Sequence, residues 1–239
     1  MNRGYPYIFG MVPSAEEHDY KTVQMEGTPV QLRKIPKEEV SLIVGDVPAM
    51  ALAPTEENAR AHKEALEMVM EEETVAPMNF GTVLADDQEA ERLLEAVYET
   101  VRDTFPKIEN KIEVAVQISL TDDAFKQLFA GKSRKGRRHY KAQLELGEKV
   151  KAMVDRYRQE QQPAIARKLA PLSESSMMKE PVTEKMIFHG VFLVDKENEA
   201  AFDEAVNELY ESWQGAATFN YSGPWPAYHF IEMRFAAKG

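Results

Sequence analysis

The chain has 239 residues, 44% of them hydrophobic and 29% charged, which suffices for one large or two modest globular domains with a buried core. Its formal net charge of −11 argues against broad nucleic-acid binding, which needs a basic footprint, and suits a protein that resists self-association. With no cysteine, disulfides, thiolate zinc sites and cysteine nucleophiles are excluded.

In chain order, "YPYIFGMV" (5–12) is rich in aromatic and branched residues, ends at Pro13 and soon meets acids. It reads as a strand and not as a signal peptide. "EVSLIVGDV" (39–47) alternates Val40, Leu42 and Val44 with Ser41, Ile43 and Gly45 and predicts a second strand. Pro54-Thr55-Glu56-Glu57 is a helix start: Thr55 can cap, and the acids favour the positive end of the helix dipole. Ala59, His62, Leu66, Val69 and Met70 follow at helical spacing. "TVAPMNFGTVL" (74–84) is short and apolar, with bends at Pro77 and Gly81. The next helix begins near Asp87, buries Ala90, Leu94, Val97 and Val101, and ends at Pro106.

"KIEVAVQIS" (111–119) is the clearest strand, with Ile112, Val114, Val116 and Ile118 on one face. Thr121-Asp122-Asp123 opens a short helix, and the basic run "GKSRKGRRHYK" follows. A long helix is expected over 139–169, kinked or restarted at Pro163 and ended by Pro171. The stretch 172–184 reads as a polar linker, "MIFHGVFLV" (186–194) as a buried strand, and Phe202, Val206, Leu209 and Trp213 as the face of a last helix. "ATFNYS" and "AYHFIEMRF" (227–235) predict two closing strands joined by Gly223–Pro226. On the last of these, His229, Ile231, Met233 and Phe235 would share one face. No window approaches the roughly 18 uninterrupted apolar residues of a membrane span. The fold class is therefore α+β, with two domains at 1–108 and 109–239. Each is expected to be a mostly antiparallel sheet with helices packed on it, ferredoxin-like in type.

Catalytic patterns are weak. "GKS" (131–133) has Lys126 where a phosphate-binding loop needs glycine, and it follows a helix. No two of the five histidines share an i, i+3 or i, i+4 spacing, and none sits in a metalloprotease frame. His62 and His189 lie in apolar contexts, where a hydrogen-bonded core role is the ordinary one. "SESS" (173–176) lacks the Gly-x-Ser-x-Gly turn of a serine nucleophile. These features predict no enzyme, no cofactor and no metal. In "SGPWPAYHF" (222–230), Pro224 and Pro226 fix φ on both sides of Trp225, which is either a corner of the core or an aromatic anchor for a partner. Trp225 and Tyr228, with Arg137 and Arg138 of the basic run, are the candidate partner contacts.

"GPWPAYHFIE" also resembles the "GPWPPYSFV" ending of the GvpF/GvpL family of gas vesicle accessory proteins. "YIFGMV" is similar to that family's "YLYGIV" opening, and "VAPMNFGTVL" to its "VLPLRFGTVF" segment. His62 matches the histidine of its "H…VL" helix, and "MIFHGVFLVDKENEAAFDEAV" its penultimate strand and helix. Asn79 departs from a frequent arginine and Ala227 from a frequent second proline, and the F and L branches stay undistinguished. The resemblance implies a non-enzymatic accessory or minor structural protein of gas vesicle assembly, cytoplasmic before assembly and then at the gas vesicle. Its implied partners are the hydrophobic wall subunit and other gas vesicle proteins, with no nucleic acid. A ligand-sensing regulatory α+β module is the alternative reading.

Overall fold

The computed structural model describes residues 4–130 and 140–231. The chain divides into two compact units, Met1–Lys111 with Trp225–Gly239, and Ile112–Pro224. Compared with the expected 1–108 and 109–239, the difference lies chiefly in the tail: residues 225–239 group with the first unit.

The first unit opens with strand β1 (Tyr5–Val12), then β2 (Thr22–Met25), β3 (Thr28–Lys37) and β4 (Val40–Val47). The β2–β3 hairpin was not read from the sequence. Its turn is Glu26-Gly27, both at positive φ, the conformation that a two-residue hairpin demands. Helix α1 (Glu56–Glu72) begins where expected, with the Thr55 hydroxyl accepting from Asn58 N–H at 3.2 Å. The short β5 (Ala76–Pro77) and helices α2 (Asp87–Arg102) and α3 (Phe105–Ile108) complete the unit. The sheet order is β2-β3-β4-β1-β5, antiparallel at every pair. Four strands precede the first helix, so this unit has not the β-α-β-β-α-β order of a ferredoxin-like fold.

The second unit comes nearer to that order, with two helices between its first two strands. It runs β6 (Lys111–Leu120, beginning at the boundary residue), α4 (Asp122–Phe125) leading into a π-helical turn, α5 (Tyr140–Leu169), β7 (Ser175–Met178), β8 (Met186–Asp195), α6 (Glu199–Ser212) and β9 (Ala217–Trp225). The strands lie in the order β7-β8-β6-β9. Leu120 bonds Lys185 and Gln117 meets His189, while Thr218 reaches Ser119 and Asn220 reaches Gln117. One index falls as the other rises, so β8 and β9 both run antiparallel to β6. Phe192 packs between Phe188 (6.4 Å between centroids) and Phe202 (5.1 Å), and all three rings are buried.

Three local expectations need correction. Pro163 does not restart the helix: α5 is continuous across it. Pro163 is exposed while Val154 before it and Ile165 and Leu169 after it are buried, so the lost hydrogen bond falls on the wet face of an anchored helix. The polar stretch 172–184 contains the edge strand β7, which pairs with β8 from Ser175↔Leu193 to Met178↔Gly190. Finally, "SGPWP" does not turn between two strands. Gly223, Pro224 and Trp225 belong to β9, an edge strand, where a missing N–H is tolerated. Gly223 (φ 138°) must be glycine, since a Cβ there would meet Glu113 O at 2.9 Å. No strand follows over 227–231. Tyr228 N–H closes on Pro226 O at 2.7 Å and Phe230 N–H on Ala227 O at 3.3 Å, so those amides are used in turns. Met233 and Phe235 lie outside the described residues.

Candidate functional site

One buried polar cluster of the first unit centres on His62, on the inner face of α1 and only 4% exposed. The Nε2 atom lies 3.1 Å from Met78 O. A carbonyl only accepts, so Nε2 carries the proton and donates. Nδ1 then accepts, and the Tyr7 hydroxyl donates to it at 2.8 Å. The same hydroxyl oxygen accepts from Gly81 N–H at 3.2 Å. The Tyr228 hydroxyl stands 3.4 Å from Nε2. Phe9 stacks on the imidazole at 5.6 Å with a 20° tilt, and Phe80 meets it edge-on at 5.9 Å.

Backbone pairing fixes this arrangement. Met78 N–H bonds Phe9 O, Ile8 N–H bonds Thr82 O, and Leu84 N–H bonds Pro6 O, each at 2.8–2.9 Å. The 78–84 segment therefore runs pinned along β1, and Tyr7 and Phe9 point to the side where α1 presents His62. Burial pulls the His62 pKa down to about 4, with the Met78 carbonyl opposing more weakly, so the ring is neutral at pH 7. Burial pushes the Tyr7 phenol far up, and it stays protonated. With both ring nitrogens engaged, the imidazole has no free lone pair for a proton transfer or a metal ion. Among the described residues, no group of three or more His, Cys, Asp or Glu is placed to hold a metal.

Of the candidate contacts, Tyr228 packs against the first unit's core and is half-buried. Trp225 is also half-buried, with the Lys63 ammonium 4.4 Å from its ring centroid. Pro226 and Ala227 between them are buried. Lys63 and His62 are adjacent on α1, so the segment 225–228 meets that helix at two consecutive residues. Arg137 and Arg138, and the "GKS" run with them, lie outside the described residues. Sequence reasoning separated His62 from Tyr7, Met78 and Gly81, because nothing in spacing links a strand, a helix and a loop that only tertiary pairing joins. His189, the other histidine in an apolar context, is half-exposed and 3.3 Å from the Gln117 amide.

Four of the five segments that carry the resemblance in sequence converge here: "YIFGMV", His62, "VAPMNFGTVL" and "GPWPAYHF"; the fifth, "MIFHGVFLVDKENEAAFDEAV", lies in the second unit. Comparison with known proteins agrees. Residues 6–232 match the family described as gas vesicle synthesis protein GvpL/GvpF. The chain belongs to this family. It is 26% identical to gas vesicle protein F1 of Halobacterium salinarum over 238 residues, covering 97% of this chain and 95% of that protein. It is 20% identical to gas vesicle protein F of Dolichospermum flosaquae, covering 95% and 97%. The crystal structure of GvpF from Anabaena sp. PCC7120 superposes with a TM-score of 0.83 at 19% identity, over 98% of this chain and 99% of that one. That of GvpF from Microcystis aeruginosa gives 0.80, also at 19% identity, over 96% and 99%. The family ties the chain to gas vesicle synthesis. No helix among the described residues is long and apolar enough to cross a membrane.

Proposed function

We propose that this chain is a non-catalytic gas vesicle assembly protein that binds the hydrophobic wall subunit, together with other gas vesicle proteins, before and during wall growth. In this reading it starts in the cytoplasm and ends at the gas vesicle. The observation that carries the proposal is the convergence on His62. Four separate family-like segments meet there, and their polar atoms are spent on each other. That arrangement builds a rigid scaffold and leaves little for chemistry. A wall subunit with apolar surface exposed before assembly is an aggregation hazard. A partner with a net charge of −11 that covers this surface keeps the complex dispersed and limits growth off the pathway.

Co-expression of the tagged chain with the wall subunit tests the reading. Retention of the subunit on affinity purification across several salt concentrations is the expected result. Loss of the subunit and of every other gas vesicle protein at all of them would sink it.

A further inference from the structure

The sheet of the second unit has two edge strands, β9 and β7. β9 ends in Gly223, Pro224 and Trp225, and a proline on an edge blunts it against further pairing. β7 carries no such guard. Its four residues, Ser175-Ser176-Met177-Met178, include neither proline nor charge, and all four are exposed. The charges nearest to it, Glu174, Lys179 and Glu180, stand beyond its ends. Pairing with β8 decides which backbone groups are left over. Met177 lies opposite Val191, and Lys179 N–H donates to His189 O at 2.8 Å. Hydrogen-bonded positions alternate along an antiparallel pair, so Met177 and Lys179 turn their amides to β8, while Ser176 and Met178 turn N–H and C=O outwards. The open edge is therefore a short row of backbone donors and acceptors, which an extended chain matches.

The side chains decide which chain fits. Successive residues of a strand point to opposite faces. Met177 and Met178 are 38% and 46% exposed, so each face of the sheet offers one thioether at this edge. A strand added beside β7 meets apolar surface on both faces, which suits a continuous apolar run rather than an alternating one. Methionine, unbranched and polarizable, packs against partners of irregular shape. A second copy of this chain does not suit the edge. Two-fold pairing of β7 with itself about Met177 sets Ser176 opposite Met178 and, at both ends, Glu174 opposite Glu180. Both glutamates are exposed, and like charges directly opposite each other destabilise a strand pair. The net charge of −11 on each copy adds to the repulsion. We propose that β7 is a docking edge for an extended, uncharged apolar segment of another protein, added as a further strand through the N–H and C=O groups of Ser176 and Met178. This rests on the reading of the chain as a binding protein and deepens it by naming a surface and the conformation and chemistry of the segment it takes.

The probe is a fluorescein-labelled peptide of about six residues, Val and Ile throughout, N-methylated at alternate residues so that it pairs along one edge only and does not stack on itself. A control peptide is N-methylated at every residue and has no N–H to give. The first is expected to raise fluorescence anisotropy on titration with the full chain, and the control to bind at least about tenfold more weakly. Amide hydrogen exchange should slow at Ser176 and Met178 in the complex and stay as it was at Met177, whose N–H already faces β8. Met178→Pro removes one outward N–H and should weaken the peptide by about tenfold or more with the urea midpoint unchanged, since an edge strand accepts proline where its N–H faces solvent. Ser176→Lys alters no backbone group and should weaken the peptide as well, because charge on an edge opposes strand addition. Equal binding of the two peptides, unchanged exchange at Ser176 and Met178, indifference to both variants, or no binding at about 1 mM overturns the assignment. So does a dimer of the chain that Met178→Pro dissociates without any peptide effect, since the edge then belongs to a second copy. Failure of the two proposals is distinguishable. Peptide binding at β7 with no wall subunit retained removes the proposed partner and keeps the edge. Retention unaltered in both edge variants, with no peptide binding, removes the edge and keeps the partner.

Discussion

The two units solve the same packing problem with opposite materials. In the second, Phe188, Phe192 and Phe202 fill the space between sheet and helices with hydrocarbon, and Arg158 ties α5 to the Thr183, Glu184 and Met186 carbonyls. In the first, a hydrogen-bonded chain from Gly81 N–H through Tyr7 and His62 to Met78 O lies inside the core. A hydrocarbon core tolerates exchange of one apolar shape for another, provided volume is kept. A buried polar chain does not, because each member is donor or acceptor to a named neighbour and an orphaned partner costs the desolvation of that group. Specificity of fold is therefore concentrated in the first unit.

The largest effect that tests this contrast is Phe192→Ala. Removing a ring held between two others should cost about 4 kcal/mol. Phe192→Leu should recover more than half of it, since only volume and shape are at stake. Denaturant midpoints of both variants are the measurement. A Leu variant as damaged as the Ala variant would place the second unit in the same class as the first and remove the contrast.

The next effect is a pH dependence that His62 gives the first unit. His62 titrates near pH 4 when folded, against an ordinary value of 6.5. Between these values the unfolded chain binds a proton that the folded chain does not, so stability rises with pH across the window. The contribution is fully present above 6.5 and is lost as pH falls towards 4, about 3 kcal/mol in all. Carboxylates titrate in the same range, so the test is the difference between wild type and His62→Gln in urea midpoints at about pH 4.5 and 7.5. The wild type should lose more on acidification. Equal losses would mean that the imidazole gains a proton inside the fold without penalty. Tyr7→Phe should cost about 2 kcal/mol at neutral pH, because it strips His62 Nδ1 and Gly81 N–H of their partner together.

The same contrast explains what could be read from sequence. Strands β4 and β6 and helices α1 and α2 were legible because apolar residues repeat at the period of each geometry, and β1 and β8 because they are continuous apolar runs. The hairpin β2–β3 was missed although Val23 and Met25 alternate across Glu26-Gly27 with Val30 and Leu32, since β2 is only four residues long and Pro29 and Pro36 interrupt β3. Strand β7 was missed because "SSMM" has neither β-branched residues nor a buried face; only pairing with β8 defines it. The closing strand was expected from aromatic content alone, yet Ala227 and Tyr228 leave the ladder to join the first unit's core. Trp225 and Tyr228 were found as singular residues, but not their contacts. The lone histidine was assigned a hydrogen-bonded core role on general grounds, and His62 has it. The partners that give it that role come from 55 and 16 residues away.

The smallest prediction concerns how the tail segment is held on α1. Trp225 lies under the Lys63 ammonium, which is also 3.2 Å from Glu67. The ring is half-buried, so Trp225→Ala should cost about 2 kcal/mol, below the range for a fully buried ring. The cation–π share should be smaller still, about 0.5 kcal/mol, because Lys63 is exposed and solvated. A double-mutant cycle with Lys63→Gln isolates that share from the packing term. Gln keeps the stem of the side chain against the ring and removes only the charge, and Glu67 is unchanged in every corner of the cycle. A positive coupling of this size, reduced by added salt much less than an exposed ion pair would be, is the expected result. If the coupling is nil while Trp225→Ala keeps its full cost, the indole acts as shape alone. If Trp225→Ala leaves stability unaltered but the chain no longer retains the wall subunit, the residue is a partner anchor, and the tail is held by Pro226, Ala227 and Tyr228.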